Sequence, residues 1–110
     1  MLRTVLVVAS LAAALSGCNV CQRIYNADQA ANEKGRDCGA SSNTSVNVNT
    51  CTAGLNSCSP DDVNRLNDYA NCLEKLDQCV ASQSFNWSLQ RFGCIQTLQG
   101  ISGTCYSAIN

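Results

Sequence analysis

Residues 59–81 read SPDDVNRLNDYANCLEKLDQCVA, the strongest structural pattern in the chain. Ser59 is a good N-cap residue, Pro60 suits the first helical position, and the acidic residues after it complement the positive end of a helix dipole. The apolar residues that follow recur with helical period: Val63, Leu66, Tyr69, Ala70, Leu73, Leu76 and Val80. The stretch therefore predicts a helix from about Pro60 to Ala81.

A second helix is predicted after a short connection at residues 82–84, with Ser84 or Gln83 as its cap. Its apolar face consists of Phe85, Leu89, Phe92, Ile95 and Leu98. The segment Cys72-Leu-Glu-Lys-Leu76 is echoed by Cys94-Ile-Gln-Thr-Leu98, which indicates two degenerate copies of one helical unit. Because the connection is short, the two helices are expected to form an antiparallel hairpin. Gly100 and Gly103 weaken the helical pattern beyond it.

The N-terminal third contains a weaker helical pattern. Residues 20–34 are moderately amphipathic and end at Gly35, which predicts a third main helix. Residues 39–50 are rich in Gly, Ser, Asn and Thr, and the alternation at residues 45–49 allows at most a short strand. Residues 51–58 are expected to form a compact turn or a single helical turn. The fold class predicted is all-α, a small disulfide-stapled domain with three main helices.

Composition excludes several functions. The chain has 110 residues, which fits one domain at most, and it contains no His. Without His there is no Ser/His or Cys/His catalytic pair and no mixed Cys/His zinc site. Seven basic and eight acidic residues provide no basic patch for nucleic acid. No phosphate-binding loop or catalytic carboxylate pair is visible either, so we expect neither an enzyme nor a cofactor-binding protein.

The first residues have the pattern of an export signal. Arg3 provides a positive charge, and residues 5–15 form an apolar run that is too short to span a membrane. The sequence Leu15-Ser16-Gly17-Cys18 resembles the lipobox of bacterial lipoproteins. The resemblance implies cleavage between Gly17 and Cys18, a signal peptide at residues 1–17, a mature chain at residues 18–110, and a diacylglycerol on Cys18. In bacterial lipoproteins an Asp directly after the lipidated Cys favours retention in the inner membrane. The resemblance therefore implies that Asn19 permits transfer to the outer membrane.

The chain contains nine Cys, an odd number for an exported domain. Lipidation of Cys18 leaves an even set, which predicts four disulfides among Cys21, Cys38, Cys51, Cys58, Cys72, Cys79, Cys94 and Cys105. The alternative is an ordinary secretory signal cleaved near Gly17, with Cys18 in a disulfide. A domain of this size with a thin core needs covalent crosslinks, so all eight cysteines are interpreted as structural.

The hairpin suggests part of the disulfide pairing. When two residues face each other in an antiparallel hairpin, the sum of their residue numbers is nearly the same for every such pair. The sum is 173 for Cys79 and Cys94 and 177 for Cys72 and Cys105. These two bonds are therefore predicted. The rival pairs Cys51–Cys79 and Cys58–Cys72 are rejected, because they place a turn at Arg65 inside the best helix. Cys51 and Cys58 are expected to bond to Cys21 and Cys38, in an order that the spacing does not determine.

Two remaining groups of residues were candidate sites. Asp61, Asp62 and Asp68 lack the spacing of a calcium-binding loop, and acidic residues at a helix start explain the first two, so no metal site is predicted. Trp87, Phe85 and Tyr106 could form an exposed aromatic patch, but core packing of these residues is favoured.

The lipobox followed by repeated Cys-Leu-x-x-Leu units is similar to small cysteine-rich lipoproteins of myxobacteria, some of which are connected with gliding motility and cell contact. This resemblance implies a lipid-anchored protein of the outer membrane with a binding or structural role in an envelope complex. Its expected partners are the membrane, through Cys18, and a second envelope protein. The alternative function is a secreted, soluble, disulfide-rich effector or inhibitor.

Overall fold

The computed structural model describes residues 20–40 and 44–110. The signal peptide at residues 1–17, the cleavage point between Gly17 and Cys18, and the lipidation site Cys18 lie outside these ranges. The described chain is all-α and contains no strand, which confirms the predicted fold class. Its five α-helices are α1 (residues 20–34), α2 (Val48–Gly54), α3 (Pro60–Glu74), α4 (Ser84–Ile95) and α5 (Gly103–Ile109).

Helix α3 begins where the sequence predicts and ends earlier. Its start is a capping box: the Ser59 hydroxyl accepts from the Asp62 amide at 3.1 Å, and the Asp62 carboxylate accepts from the Ser59 amide at 2.9 Å. Its end lies at Glu74 rather than Ala81, because the next residues bind the end of α1. The Cys79 amide donates to the Lys34 carbonyl at 2.8 Å, and the Lys34 ammonium donates to the Glu74 carbonyl at 3.0 Å. These two hydrogen bonds therefore provide partners for the last carbonyl groups of both α1 and α3.

The C-terminal segment is two helices rather than one long one. Helix α4 ends at Ile95 and continues as a 3₁₀ turn at Gln96–Leu98. Gly100 then adopts a φ of +90°, a left-handed conformation that favours glycine. Helix α5 starts anew after it, and the Ser102 hydroxyl caps α5 by accepting from the Cys105 amide at 3.2 Å. The helical pattern weakens at Gly100 and Gly103 because one helix has ended there and the next begins.

The short strand considered at residues 45–49 is wrong. Residues 44–47 have no regular structure, and α2 begins at Val48. The reason is the side chain of Asn47, which accepts a hydrogen bond from the Thr50 amide at 3.0 Å and so starts a helix. The predicted compact helical turn at residues 51–58 is present as the rest of α2 and a 3₁₀ turn at Leu55–Ser57.

All eight of the expected cysteines form disulfides, but the predicted pairing is wrong. The four bonds are Cys21–Cys51, Cys38–Cys79, Cys58–Cys105 and Cys72–Cys94. Neither Cys79–Cys94 nor Cys72–Cys105 forms. Because α3 ends at Glu74, Cys79 has left the hairpin and lies against the end of α1, where it reaches Cys38. Of the expected bonds from Cys51 and Cys58 to the N-terminal third, only that from Cys51 exists.

The antiparallel hairpin of α3 and α4 is confirmed. The Cys72–Cys94 disulfide joins the two helices, and the Arg65 guanidinium of α3 donates to the carbonyl of Gln99, just beyond the end of α4. Helix α1 packs on α3 through Arg23, which forms an ion pair with Glu74 at 3.1 Å and a hydrogen bond to Asn67 at 3.0 Å. Helix α5 packs against α2.

The buried core consists mainly of small and medium side chains. Its residues are Val20, Cys21, Ile24, Ala27, Ala31, Cys51, Leu66, Ala70, Leu73, Leu76, Cys79, Trp87, Cys94 and Cys105. One disulfide, Cys21–Cys51, has both cysteines in this core, and each of the other three contributes one cysteine to it: Cys79, Cys94 or Cys105. Among the described residues no helix has the length and apolar character required to cross a bilayer.

Candidate interaction surface

Helix α4 has two apolar sides, and only one of them is buried. Trp87 and Cys94 are 6% and 0% exposed and lie on the side that contacts the rest of the domain. A second set lies mostly on the opposite side and is exposed: Phe85 (74%), Leu89 (53%), Phe92 (59%) and Ile95 (50%). We name these four residues the α4 stripe. Their spacing of four, three and three residues keeps them along one side of a helix.

Three anchors on the buried side fix the rotation of α4. The Trp87 indole donates to the Asp77 carbonyl at 2.8 Å. One turn later, Arg91 forms an ion pair with Asp28 of α1 at 2.8 Å, and its guanidinium also lies 5.7 Å from the centre of the Trp87 ring. Cys94 is bonded to Cys72. These contacts hold one side of α4 against α1 and α3, so the α4 stripe faces away from the domain.

Gly35 makes room for this arrangement. A Cβ atom at Gly35 would clash with the ring of Trp87. The position just after α1 therefore needs the smallest residue, because Trp87 packs directly onto its backbone. The close approach of α4 to the end of α1 follows from this pair.

The C-terminal part of the chain, which contains the α4 stripe, has almost no charge. Arg91 is the only charged side chain in residues 78–110, and it is paired with Asp28. The exposed neighbours of the stripe are uncharged polar residues: Asn86, Ser88 and Gln90 on α4 and Gln96 directly after it. The centres of protein interfaces are depleted in charged residues and enriched in aromatic ones. The α4 stripe likewise contains two aromatic residues and no charged one.

The exposed apolar area is large for so small a domain. With about 200 Å² for each fully exposed side chain, the four residues of the α4 stripe together present roughly 450 Å². The largest apolar patch on a typical monomer is about 300–600 Å² and is often functional. The α4 stripe falls within that range.

A cleft of about 280 Å³, lined by apolar and uncharged polar side chains, adjoins the stripe. Ile95 belongs to both, and Tyr106, itself half exposed, lines the cleft beside it. Ile24, Leu98 and Tyr69 form part of the remaining wall. Burial raises the pKa of the Tyr69 phenol, which keeps the phenol neutral. Stripe and cleft thus form one continuous, uncharged surface.

The sequence predicted these apolar residues but not their positions. Core packing is confirmed for Trp87 and is wrong for Phe85 and Tyr106, which are exposed. The predicted apolar face of the second helix exists, but four of its five residues point to solvent, and only Leu98 packs partly against the core. The physical reason is that Cys94 and Trp87 occupy the side that contacts α1 and α3.

Asp62, one of the acidic residues considered as cation ligands, accepts hydrogen bonds from neighbouring groups instead. Asp62 lies with Cys58 and Cys105 in one cluster, but the two sulfurs are bonded to each other. The Asp62 carboxylate accepts from the Ser102 amide at 2.9 Å and the Ser102 hydroxyl at 2.8 Å, as well as from Ser59. These hydrogen bonds, those from Ser102 above all, lower the pKa of Asp62 to about 2. Asp62 therefore links the starts of α3 and α5.

The surface formed by the α4 stripe and the cleft thus combines exposed apolar side chains with uncharged polar ones, and it is held on a crosslinked scaffold. No protein-family model matches the chain, and no curated protein or solved structure matches it either.

Proposed function

We propose that the protein is a lipid-anchored lipoprotein of the bacterial outer membrane whose disulfide-stapled domain binds a protein partner in the cell envelope through the α4 stripe. The observation that supports this most is the exposed, uncharged apolar side of α4. The residues Leu15-Ser16-Gly17-Cys18 support the anchor. Two or more acyl chains on one residue are enough for stable attachment to a bilayer.

The start of α1 limits the distance between such an anchored domain and the membrane. Helix α1 includes residue 20, and Val20 and Cys21 are buried in the core. Cys18 precedes Val20 by two residues, which span at most about 7 Å. A domain anchored through Cys18 would therefore lie directly on the membrane surface, with no flexible spacer of useful length. Its partner would have to be another protein at that surface.

A protein partner fits the α4 stripe better than the lipid does. Helices that lie in a membrane interface combine an apolar side with an exposed side rich in Lys and Arg. The side of α4 opposite the stripe is buried, and its one cation, Arg91, is already paired with Asp28. The stripe thus lacks the electrostatic attraction that anionic lipid headgroups would require.

The anchor is tested by mass spectrometry of the mature N-terminus in membranes of the native host. We expect a peptide that begins at Cys18 and has acyl chains on it, and we expect Cys18→Ser to release the protein from the membrane fraction or block its processing. An unmodified N-terminus near residue 18 would exclude the lipoprotein and favour the secreted, soluble effector or inhibitor.

The binding surface is tested by photo-crosslinking of the full-length protein in intact membranes. A photoreactive phenylalanine analogue replaces Ser88, which is exposed and lies one helical turn from Phe92. The matched control has the analogue at Asn64, an exposed residue of α3. We expect a specific protein adduct from position 88 and none from position 64. Equal adducts at both positions, or none at either, would contradict the proposed surface.

A further inference from the structure

We infer that the occupant of the α4 stripe is a second copy of this chain, bound through a two-fold antiparallel contact between the two α4 helices. This inference rests on the proposed interaction role of the stripe and names the partner. It is based on the register of the stripe, the position of the cleft, the distribution of charge and the area available.

The register of the stripe is complementary to itself. Phe85 and Ile95 are each five residues from position 90, and Leu89 and Phe92 lie on either side of nearly the same point. In an antiparallel pair of identical helices, residues equidistant from the two-fold axis face each other. Phe85 of one copy therefore faces Ile95 of the other, and Leu89 faces Phe92. Each contact joins an aromatic side chain to an aliphatic one.

The cleft lies where this register needs space. Phe85 is the most exposed large apolar side chain in the described part of the chain, at 74%. Its predicted position is against Ile95 of the second copy, and Ile95 is at the edge of the cleft of about 280 Å³. The Phe85 ring can thus enter the cleft of the opposite copy. Two-fold symmetry makes this contact twice.

The distribution of charge favours α4 over the other surfaces for contact between identical copies. From Cys18 onwards the chain has six basic and eight acidic residues, so two copies repel each other weakly. All eight acidic residues precede residue 78. Contact through α4 therefore brings no carboxylates of the two copies face to face, whereas contact through α3, with Asp61, Asp68 and Glu74, does.

The available area reaches that of a small specific interface. Two copies of the α4 stripe contribute about 900 Å² in total, and Tyr106 with the polar neighbours raises this above the roughly 1,000 Å² that a specific contact needs. Gly93 lies next to Phe92, and a Cβ there would meet no other atom. Nothing at this position keeps a second helix at a distance.

The first test uses the full-length protein in membranes, produced with two different epitope tags in the same cells. With the photoreactive residue at position 88, we expect an adduct of twice the chain's mass that contains both tags. Leu89→Gln and Phe85→Gln should each lower its yield about tenfold or more, since each removes a large apolar side chain from the contact twice. Val80→Gln is the matched control, because Val80 is 60% exposed but lies outside the stripe, and the yield should stay unchanged.

The second test examines the register itself. Phe85→Lys and Ile95→Glu, each alone, should reduce the two-tag adduct, because each places an unpaired charge in the apolar contact. The double variant should restore it, since an antiparallel contact brings the introduced ammonium and carboxylate of opposite copies together. A parallel contact would place like charges opposite each other and give no recovery.

The outcomes separate this inference from the proposed function. A two-tag adduct with recovery in the double variant supports the second copy as the occupant. An adduct of position 88 with a different protein, and none with a second copy, overturns the inference but supports the interaction role of the stripe. The absence of any adduct contradicts both. A two-tag adduct that is as abundant with Leu89→Gln as with Val80→Gln would mean that the two copies contact each other through another surface, and it would overturn the inference.

Discussion

Removal of the Cys72–Cys94 disulfide should lower the free energy of unfolding by about 3 kcal/mol and leave the other three bonds intact. The bond closes a loop with a sequence separation of 22 residues, for which the chain-entropy relation gives about 3.4 kcal/mol. The Cys58–Cys105 bond spans the same region and already restricts the unfolded chain. The expected loss therefore lies somewhat below that figure, at roughly 3 kcal/mol.

The assay compares Cys72→Ala/Cys94→Ala with the parent protein by chemical denaturation. Trp87 is the only Trp in the chain, so its fluorescence reports on the contact of α4 with α1. Titration of thiols in the unreduced protein provides the second readout. Cys72→Ala/Cys94→Ala should expose no more thiols than the parent, because it removes both halves of one bond. Cys79→Ala/Cys94→Ala is the control, and it should expose two more, at Cys38 and Cys72.

The opposite thiol counts would refute the structure of the hairpin. Two new thiols in Cys72→Ala/Cys94→Ala and none in Cys79→Ala/Cys94→Ala would show that Cys79 and Cys94 are bonded to each other. A loss of stability below about 1 kcal/mol with the expected thiol counts would leave the bond in place but contradict the loop-closure reasoning.

Three further changes test individual contacts. Gly93→Ala should raise the free energy of unfolding by about 0.5–1 kcal/mol in a thermal melt, because the added Cβ meets no other atom in the helix surroundings. Gly35→Ala should lower it by about 1–3 kcal/mol and red-shift the fluorescence of Trp87, whose ring it displaces. The pKa of Asp62 is about 2, below its unfolded value near 4, so its contribution is complete above pH 4 and is lost as the pH falls towards 2. Asp62→Asn should therefore flatten the decline of the urea midpoint over that pH range.

The start of α3 was predictable from the sequence, whereas its end was not. The start of α3 depends on Ser59, Pro60 and Asp62, which are close in sequence, and the structure has the predicted cap. The end of α3 depends on Lys34, which binds both Glu74 and Cys79 from 40 or more residues away. The apolar pattern of residues 76–80 is compatible with a helix, and only this distant contact shows that the chain leaves it.

The hairpin contained the information for one disulfide and not for the others. Its connection was predicted at residues 82–84, and Cys72 and Cys94 are each eleven residues from position 83. A hairpin centred there favours Cys72–Cys94, whereas Cys79–Cys94 would need a centre inside α4. The bonds Cys21–Cys51, Cys38–Cys79 and Cys58–Cys105 depend on how α1, α2 and α5 dock, and no local pattern specifies that.

The exposed side of α4 could be found from the sequence only through its cysteine. Two apolar rows run along this helix, one through Trp87 and Cys94 and one through Phe85, Leu89 and Phe92, and hydrophobic periodicity alone does not distinguish them. A disulfide to another helix does, because it forces the side that contains Cys94 against α3. In a domain this small, one apolar row is enough for the core contact of a helix. The second row then remains exposed, and its burial requires another molecule, which is why we expect the function of this protein at Phe85, Leu89 and Phe92.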